Sequence, residues 1–137
     1  MSKNNELNLF DELLDRAFKR AKNVTISEDV SFGSVACALI TDDDNIYEGV
    51  CLDTASSLGF CAERNAIGTM LTNGETHIKA IVSCNEKGVL YPSCGACREL
   101  MWQLPNSGET LVGVGLTRLN EVYYIKLKDL MPYRDSF

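Results

Sequence analysis

Three cysteines frame the middle of this chain, one in the segment GFCAERNAIGTM and two in the segment YPSCGACREL. Cys61 precedes one helical pattern, Cys94 and Cys97 begin another, and a single β-rich run lies between the two patterns. When a helix, a strand and a second helix pack on one sheet, both helix N-termini lie at the same edge of that sheet. The sequence therefore predicts that the three sulfur atoms meet beyond the carboxyl end of the intervening strand, where open α/β sheets bind ligands.

The hydrophobic pattern predicts alternating helices and strands. Apolar residues recur at steps of three and four over residues 6–22, which indicates an amphipathic helix. We predict further helices at 61–71 and 94–104, strands at 34–41, 46–52, 78–84, 110–117 and 121–127, and a helical turn at 128–131. The expected fold is an α/β protein, a three-layer α/β/α sandwich around a mixed five-stranded sheet.

Length and composition limit the class of protein. A chain of 137 residues has the usual size of one domain, so residues 1–137 are expected to form a single domain. No apolar run approaches the roughly 20 residues of a membrane span, and the segment MSKNNELNLF lacks the apolar core of a secretory signal. Thirteen basic and nineteen acidic residues give a net charge of -6 without a basic cluster. We therefore expect a cytoplasmic protein with neither a membrane nor a long nucleic acid as its partner.

The spacing of the cysteines favours a zinc site. Cys94 and Cys97 are three residues apart, so one helical turn can aim both sulfurs at one ion. Helix N-termini favour thiolate over thiol, and zinc accepts sulfur ligands in tetrahedral geometry. The single histidine, His77, is expected at the opposite edge of the sheet, which leaves the fourth position to water. We predict one Zn²⁺ per chain, with Cys61, Cys94 and Cys97 as its ligands.

Glu63 follows Cys61 by two residues and is the candidate general base, because an open zinc position beside a carboxylate is typical of catalytic sites. Each motif alone has a plainer interpretation. Glutamate is common in a first helical turn, and Cys-x-x-Cys also serves redox proteins. Two alternatives therefore stay open, a catalytically silent zinc-binding interaction domain and a dithiol protein with a reversible Cys94–Cys97 disulfide. The other cysteines are expected to be small buried residues: Cys37, Cys51 and Cys84.

The segments CAERNAI and PSCGACREL resemble the zinc signature of the cytidine deaminase superfamily, in the all-cysteine form of small tetrameric cytidine deaminases and of blasticidin S deaminase. The run SVACALITDDDNIYEGV is similar to the first hairpin of these enzymes, and DLMPYRDSF to the C-terminal tail of the tetrameric ones. The resemblance implies a homotetramer that deaminates a cytosine nucleoside such as cytidine or deoxycytidine in pyrimidine salvage, releasing ammonia. The alternative is a cytosine-nucleoside antibiotic such as blasticidin S, or another amino-substituted heterocycle.

The same resemblance implies roles for residues around the zinc motif. Glu63 would shuttle protons as base and then as acid, and Ala62 would contact the substrate. Arg64 and Arg98 would donate hydrogen bonds to the zinc thiolates, with solvated surface positions as the alternative for both. The remaining implied substrate contacts are aromatic: Phe32 near the base-stacking position and Phe137 over a neighbouring subunit's site.

Departures from the family pattern concern the substrate. Cytidine deaminases usually carry Asn-x-Glu to hold the ribose hydroxyl, whereas this chain has Cys51-Leu52-Asp53. A buried hydroxyl that lacks its partner costs about 1 to 3 kcal/mol, so ordinary ribose recognition is in doubt. Ser93 also separates Cys94 from the proline that directly precedes it in the family. Cys51 and Asp53 stay candidate substrate contacts, and the physiological substrate stays open.

Overall fold

The computed structural model describes residues 2–115 and 123–134, with side chains from residue 11 onward. Its helices are α1 (Ser2–Arg20), α2 (Ala62–Thr72) and α3 (Gly95–Trp102), and short 3-10 helices cover Ser107–Glu109 and Leu127–Leu130. The strands are β1 (Val24–Thr25), β2 (Ser31–Thr41), β3 (Ile46–Asp53), β4 (Ile78–Asn85), β5 (Leu90–Tyr91), β6 (Leu111–Val114) and β7 (Tyr123–Lys126). None of the described helices combines the length and apolar character that a membrane span requires.

The longer strands form a mixed sheet in the order β3, β2, β4, β6, β7. β2 pairs antiparallel with β3 on one side and with β4 on the other. β4 runs parallel to β6, which pairs antiparallel with β7. This arrangement confirms the predicted architecture, and the two-residue strands β1 and β5 extend it along β2 and β4.

Helices cover both faces of the sheet, so the structure has three layers. Alternate side chains along β2 point to opposite faces. Ala36, Ala38 and Ile40 face α1, while Cys37 and Leu39 face α2 and α3. The helices contribute fully buried residues to these two cores: Leu13 and Ala17 from α1, Ala66, Ile67 and Met70 from α2, and Met101 from α3. The cysteine-bearing helices α2 and α3 thus share one face, and their N-termini can meet at one edge of the sheet, as the sequence predicts.

Several predicted boundaries differ from the observed ones. α1 spans Ser2–Arg20 and not 6–22. α3 ends at Trp102, two residues before the predicted end, because a residue that precedes proline, here Leu104, is disfavoured in helical geometry. The strand predicted at 34–41 begins at Ser31. Of the last two predicted strands, residues 116–122 lie outside the described part of the chain.

Gly49 allows α2 to pack directly on β3. A Cβ atom at this position would lie 2.4 Å from the Ala66 nitrogen and 2.7 Å from the Ala62 oxygen. Only glycine lets the strand contact the helix backbone at such distances. The start of α2, which carries Glu63, is therefore held against the sheet.

The loop after β3 returns to the end of that strand before α2 begins. Leu52 and Phe60 exchange two backbone hydrogen bonds of 3.0 Å each. Gly59 permits this closure, since a Cβ there would lie 2.2 Å from the Leu52 oxygen. Cys61 follows directly and so begins α2 from a constrained position.

Candidate active site

Cys61 and Cys94 occupy the N-cap positions of α2 and α3. Both have extended backbones, with φ −75° and ψ 154° at Cys61 and φ −77° and ψ 169° at Cys94. Their carbonyl oxygens accept hydrogen bonds from the nitrogens of Asn65 (3.4 Å) and Arg98 (2.9 Å). Neither side chain caps its helix, unlike the serine or aspartate that is common there. Each cysteine thus stands at the positive end of a helix, which favours the thiolate.

The three predicted ligand sulfurs converge. Cys94 Sγ lies 3.5 Å from Cys61 Sγ and 3.5 Å from Cys97 Sγ, and all three lie within 4.8 Å of one another. Sulfur ligands of a tetrahedral zinc ion, at about 2.3 Å from the metal, stand about 3.8 Å apart. The two distances from Cys94 are within a few tenths of an ångström of this value, so the cluster can hold one zinc ion. All three cysteines are free of disulfides.

The thiols differ in pKa when no cation is bound. Burial, followed by the carboxylate of Glu63, raises the pKa of Cys97 far above its usual range. Burial is also the main cause of the raised pKa of Cys61. At Cys94 burial acts in the same direction, but hydrogen bonds from the Cys97 and Ala96 backbone and from the Cys61 thiol outweigh it and lower the pKa. A bound zinc ion overrides these differences because it deprotonates the thiols that coordinate it.

A cavity of about 300 Å³ adjoins the sulfur cluster. Glu63 lines it from the first turn of α2, and its side chain is only 4% exposed. The full set of lining residues comes from β2, β3, the start of α2 and the segment before α3: Val35, Cys51, Cys61, Ala62, Glu63, Tyr91, Pro92, Ser93 and Cys94. One cavity thus holds a buried carboxylate and two of the three clustered sulfurs.

Of the predicted substrate contacts, Cys51 and Ala62 line the cavity and Asp53 stands beside it. Cys51 Sγ accepts a hydrogen bond from the Val35 nitrogen at 3.3 Å and lies 3.2 Å from Ser34 Oγ. Asp53 is exposed at the end of β3, and its Oδ2 atom lies 3.9 Å from Cys51 Sγ. The Asp53 carboxylate therefore borders the wall formed by Cys51.

The predicted aromatic contacts are not found in the described cavity wall. Phe32 is half-buried in β2, and a register irregularity between Phe32 and Ala36 separates it from the residues that follow. Val35 lines the cavity from this strand. Phe137 lies outside the described residues.

Neither predicted arginine bonds a cysteine sulfur in the described structure. Arg64 is exposed and lines a different groove of about 530 Å³, which is formed by Phe60 and residues of α2 and has no cysteine in its wall. Arg98 Nη1 donates to the Leu130 oxygen at 3.1 Å, which ties α3 to the second 3-10 helix. Arg98 Nε is buried and has no hydrogen-bond partner within the described residues.

Tyr91 is a cavity residue that the sequence analysis missed. β5 pairs Tyr91 with Ser83 of β4, which places it beside the sulfur cluster. Asn85 Nδ2 donates to Tyr91 Oη at 3.1 Å and holds the ring in place. A two-residue strand is too short for an alternating pattern, so no periodic signal marked it. The remaining signal was an aromatic residue directly before a proline.

The additional residue before Cys94 is accommodated by a left-handed turn. Ser93 has φ 64° and is buried, and it lines the cavity. This conformation costs a non-glycine residue about 1 to 2 kcal/mol. In return Cys94 reaches the N-cap of α3 and remains 3.5 Å from Cys61.

The three-layer sandwich, the three-sulfur cluster and the adjoining cavity define an α/β protein with a zinc site of the kind that enzymes use. Within this class the chain belongs to the family described as the cytidine and deoxycytidylate deaminase zinc-binding region, which matches residues 10–112. It is accordingly an aminohydrolase of cytosine-like substrates that uses zinc. Family membership favours this enzyme over the two alternatives left open by the sequence, a silent zinc-binding domain and a dithiol redox protein.

Individual relatives agree with this assignment. A cytidine deaminase of Halalkalibacterium halodurans is 30% identical over 99 residues, which cover 72% of this chain and 74% of that protein. One of Sporosarcina psychrophila is 35% identical over 74 residues, covering 53% and 54%. The crystal structure of cytidine deaminase from Mycobacterium tuberculosis superposes with a TM-score of 0.71 at 23% identity, covering 90% of this chain and 94% of that one. The crystal structure of cytidine deaminase from Burkholderia pseudomallei superposes with a TM-score of 0.67 at 27% identity, covering 88% of this chain and 94% of that one. The cytidine deaminase-like fold predicted from the sequence is thereby confirmed.

Proposed function

We propose that this protein is a zinc-dependent hydrolytic deaminase of a cytosine nucleoside, cytidine or deoxycytidine, and that it releases ammonia. The observation that carries the proposal is the cavity in which the Glu63 carboxylate meets the sulfurs of Cys61 and Cys94. Membership of the cytidine and deoxycytidylate deaminase family supports this substrate class. A cytoplasmic role in pyrimidine salvage is part of the same proposal.

Cys61, Cys94 and Cys97 are the residues that would hold the metal. Within the described residues the cluster contains no fourth histidine, cysteine or carboxylate, and Glu63 does not belong to it. When bound, zinc supplies a Lewis acid with an open position at which water becomes acidic near neutral pH. Glu63 is thereby left free to move protons.

Glu63 serves as base and then as acid in this proposal. Its carboxylate takes a proton from the attacking water, whose oxygen bonds to the amine-bearing ring carbon. The carboxyl group then passes protons to the ring nitrogen and to the amino group, which departs as ammonia. The proton balance closes because each proton that Glu63 accepts comes from the water and is returned to the substrate. Its burial limits exchange of these protons with bulk solvent.

The function is tested by ammonia release from a panel of cytidine, deoxycytidine, cytosine and blasticidin S. We expect turnover of cytidine or deoxycytidine by the zinc-loaded protein. Protein treated with a chelator serves as the control for zinc dependence. Zinc-loaded protein that releases no ammonia from any compound on the panel would contradict the proposal.

One observation favours the second candidate substrate, a cytosine-nucleoside antibiotic such as blasticidin S. Cys51 stands where cytidine deaminases usually carry the asparagine that holds ribose, and its sulfur is already engaged with Ser34 and the Val35 backbone. A substrate whose ring substituent is not a simple ribose would lose less binding free energy when this asparagine is replaced by cysteine. Preferential turnover of blasticidin S in the panel would select this candidate.

Replacing Asp53 by alanine is expected to raise the KM for the best substrate about threefold to tenfold, since it removes one exposed polar contact beside the cavity wall. Zinc content should not change, because Asp53 is not part of the sulfur cluster. Steady-state kinetics with parallel zinc analysis measure both effects. Asp42→Ala, in the turn at the other end of the β2–β3 hairpin, is the matched control. Unchanged kinetics in Asp53→Ala would remove Asp53 from the substrate site.

We also propose a homotetramer in which the C-terminal tail completes a neighbouring site through Phe137. Arg134, the last described residue, donates from Nε and Nη2 to the two Glu99 carboxylate oxygens at 2.8 and 2.9 Å. The tail is thereby anchored to α3, the helix that carries Cys97. Deleting residues 135–137 should lower kcat/KM without unfolding the chain. A fully active monomer by light scattering would overturn this proposal.

A further inference from the structure

A second concavity adjoins the cavity lined by Glu63. It measures about 330 Å³ and shares two walls, Val35 and Tyr91, with that cavity. We call it the hairpin groove, because most of its other residues belong to the β4–β5 hairpin; its lining residues are Ser34, Val35, Asn85, Glu86, Lys87 and Tyr91. A molecule whose ring faces Glu63 can therefore continue past Val35 and Tyr91 into this groove.

On the side of β2 and β3, the cavity itself offers few hydrogen-bond partners to a hydroxylated substituent. Cys51 lines the cavity on that side, and its sulfur already pairs with Ser34 Oγ at 3.2 Å and with the Val35 nitrogen at 3.3 Å. The exposed Asp53 carboxylate lies outside the cavity wall, 3.9 Å from the same sulfur. A thiol is a weak donor and a weak acceptor even when it is free. Sugar hydroxyls consequently need stronger partners beyond the cavity wall.

The hairpin groove supplies such partners. Glu86 and Lys87 are exposed at the tip of the hairpin, and within the described residues no ion pair occupies the carboxylate of Glu86 or the ammonium of Lys87. A carboxylate accepts and an ammonium donates hydrogen bonds, and charged partners make the stronger ones. The groove thus offers both kinds of partner that a hydroxyl group uses.

Asn85 connects the groove to the cavity. Its Oδ1 atom accepts hydrogen bonds from the nitrogens of Lys87 and Val89 at 2.9 Å each, which fixes the hairpin turn. Its Nδ2 atom donates to Tyr91 Oη at 3.1 Å, which fixes the shared wall. One side chain therefore sets the position of the charged tip relative to the cavity.

We propose that the hairpin groove is the subsite for the hydroxylated substituent of the cytosine ring. Glu86 accepts hydrogen bonds from the sugar hydroxyls, Lys87 donates to their oxygens, and Asn85 is a positioning residue that acts through Tyr91 and the Lys87 backbone. This subsite rests on the proposed nucleoside deaminase function. It assigns recognition of the sugar mainly to the β4 side of β2, and it leaves the exposed Asp53 as the contact on the β3 side.

The test compares a substrate that has a sugar with one that lacks it. Glu86→Ala and Lys87→Ala are assayed with cytidine and with 1-methylcytosine, and binding of both compounds is measured by calorimetry in a Glu63→Gln background that prevents turnover. Each variant should raise the KM and Kd for cytidine roughly tenfold, as expected for loss of one charge-assisted hydrogen bond. Values of kcat, and Kd for 1-methylcytosine, should stay within about twofold of the parent. Asp15→Ala and Lys19→Ala, on α1 at the opposite face of the sheet, are the matched controls.

The possible outcomes test the proposed subsite separately from the proposed deaminase function. Cytidine parameters that are unchanged in both variants would overturn the subsite while the function stands. Equal losses with cytidine and 1-methylcytosine would also overturn it, because they would indicate a structural effect of the hairpin. If the wild-type protein releases ammonia from neither cytidine nor deoxycytidine, the proposed nucleoside is wrong. The subsite then stands only if calorimetry still shows cytidine binding that both variants weaken.

Discussion

Replacing Glu63 by glutamine should lower turnover by at least about a hundredfold while zinc content and fold are retained, which is the usual size of a general acid-base contribution. Glutamine has nearly the same shape as glutamate but cannot accept and return a proton. The Glu63 side chain is only 4% exposed, so bulk water has little access to this position and cannot readily take over the proton transfer. The measurements are kcat from ammonia release, zinc by elemental analysis, and secondary structure by circular dichroism.

The matched control for this variant is Glu12→Gln, on α1 at the other face of the sheet. Glu12 is exposed and pairs with Arg16, so its loss should change turnover little. Near-normal turnover in Glu63→Gln would refute the proton-shuttle role. Loss of zinc in that variant would instead show that the carboxylate takes part in holding the metal.

Replacing Cys97 by alanine should remove most of the bound zinc and with it the activity. Cys97 is fully buried, and its sulfur lies 3.5 Å from Cys94 Sγ. A side chain on the surface therefore cannot take its place as a ligand. Zinc that binds the folded state stabilises it, so adding zinc should raise the Tm of the wild-type protein. We expect this rise to disappear in Cys97→Ala, as measured by thermal unfolding with and without a chelator.

Cys84→Ala separates the loss of a ligand from the loss of a buried thiol. Cys84 is also fully buried, but it belongs to the core on the α1 side of the sheet, and its sulfur is outside the cluster. Burial raises the pKa of this thiol to about 11, which keeps it protonated at neutral pH. The control should keep about one zinc per chain and the zinc-dependent rise in Tm. Equal zinc content in Cys97→Ala and Cys84→Ala would contradict the assignment of Cys97 as a ligand.

The sequence by itself determined the metal cluster and the layers that carry it. Cys94 and Cys97 are related by a single helical turn, and Cys61 begins the helix before the intervening strand. Short-range geometry and one helix–strand–helix connection therefore suffice to bring them together. The alternation along β2 likewise assigns its side chains to two cores, because successive residues of any strand point to opposite faces.

The substrate side of the site was decided only by the tertiary structure. Tyr91 reaches the cavity through a two-residue strand and a hydrogen bond from Asn85, and neither leaves a periodic trace in the sequence. Arg98 stands next to a predicted ligand, yet its guanidinium donates to the oxygen of Leu130, a partner 32 residues away. Such contacts depend on where separate loops meet in space, which sequence spacing does not encode. The walls of the cavity therefore had to be read from the folded chain, whereas the clustering of Cys61, Cys94 and Cys97 followed from their spacing.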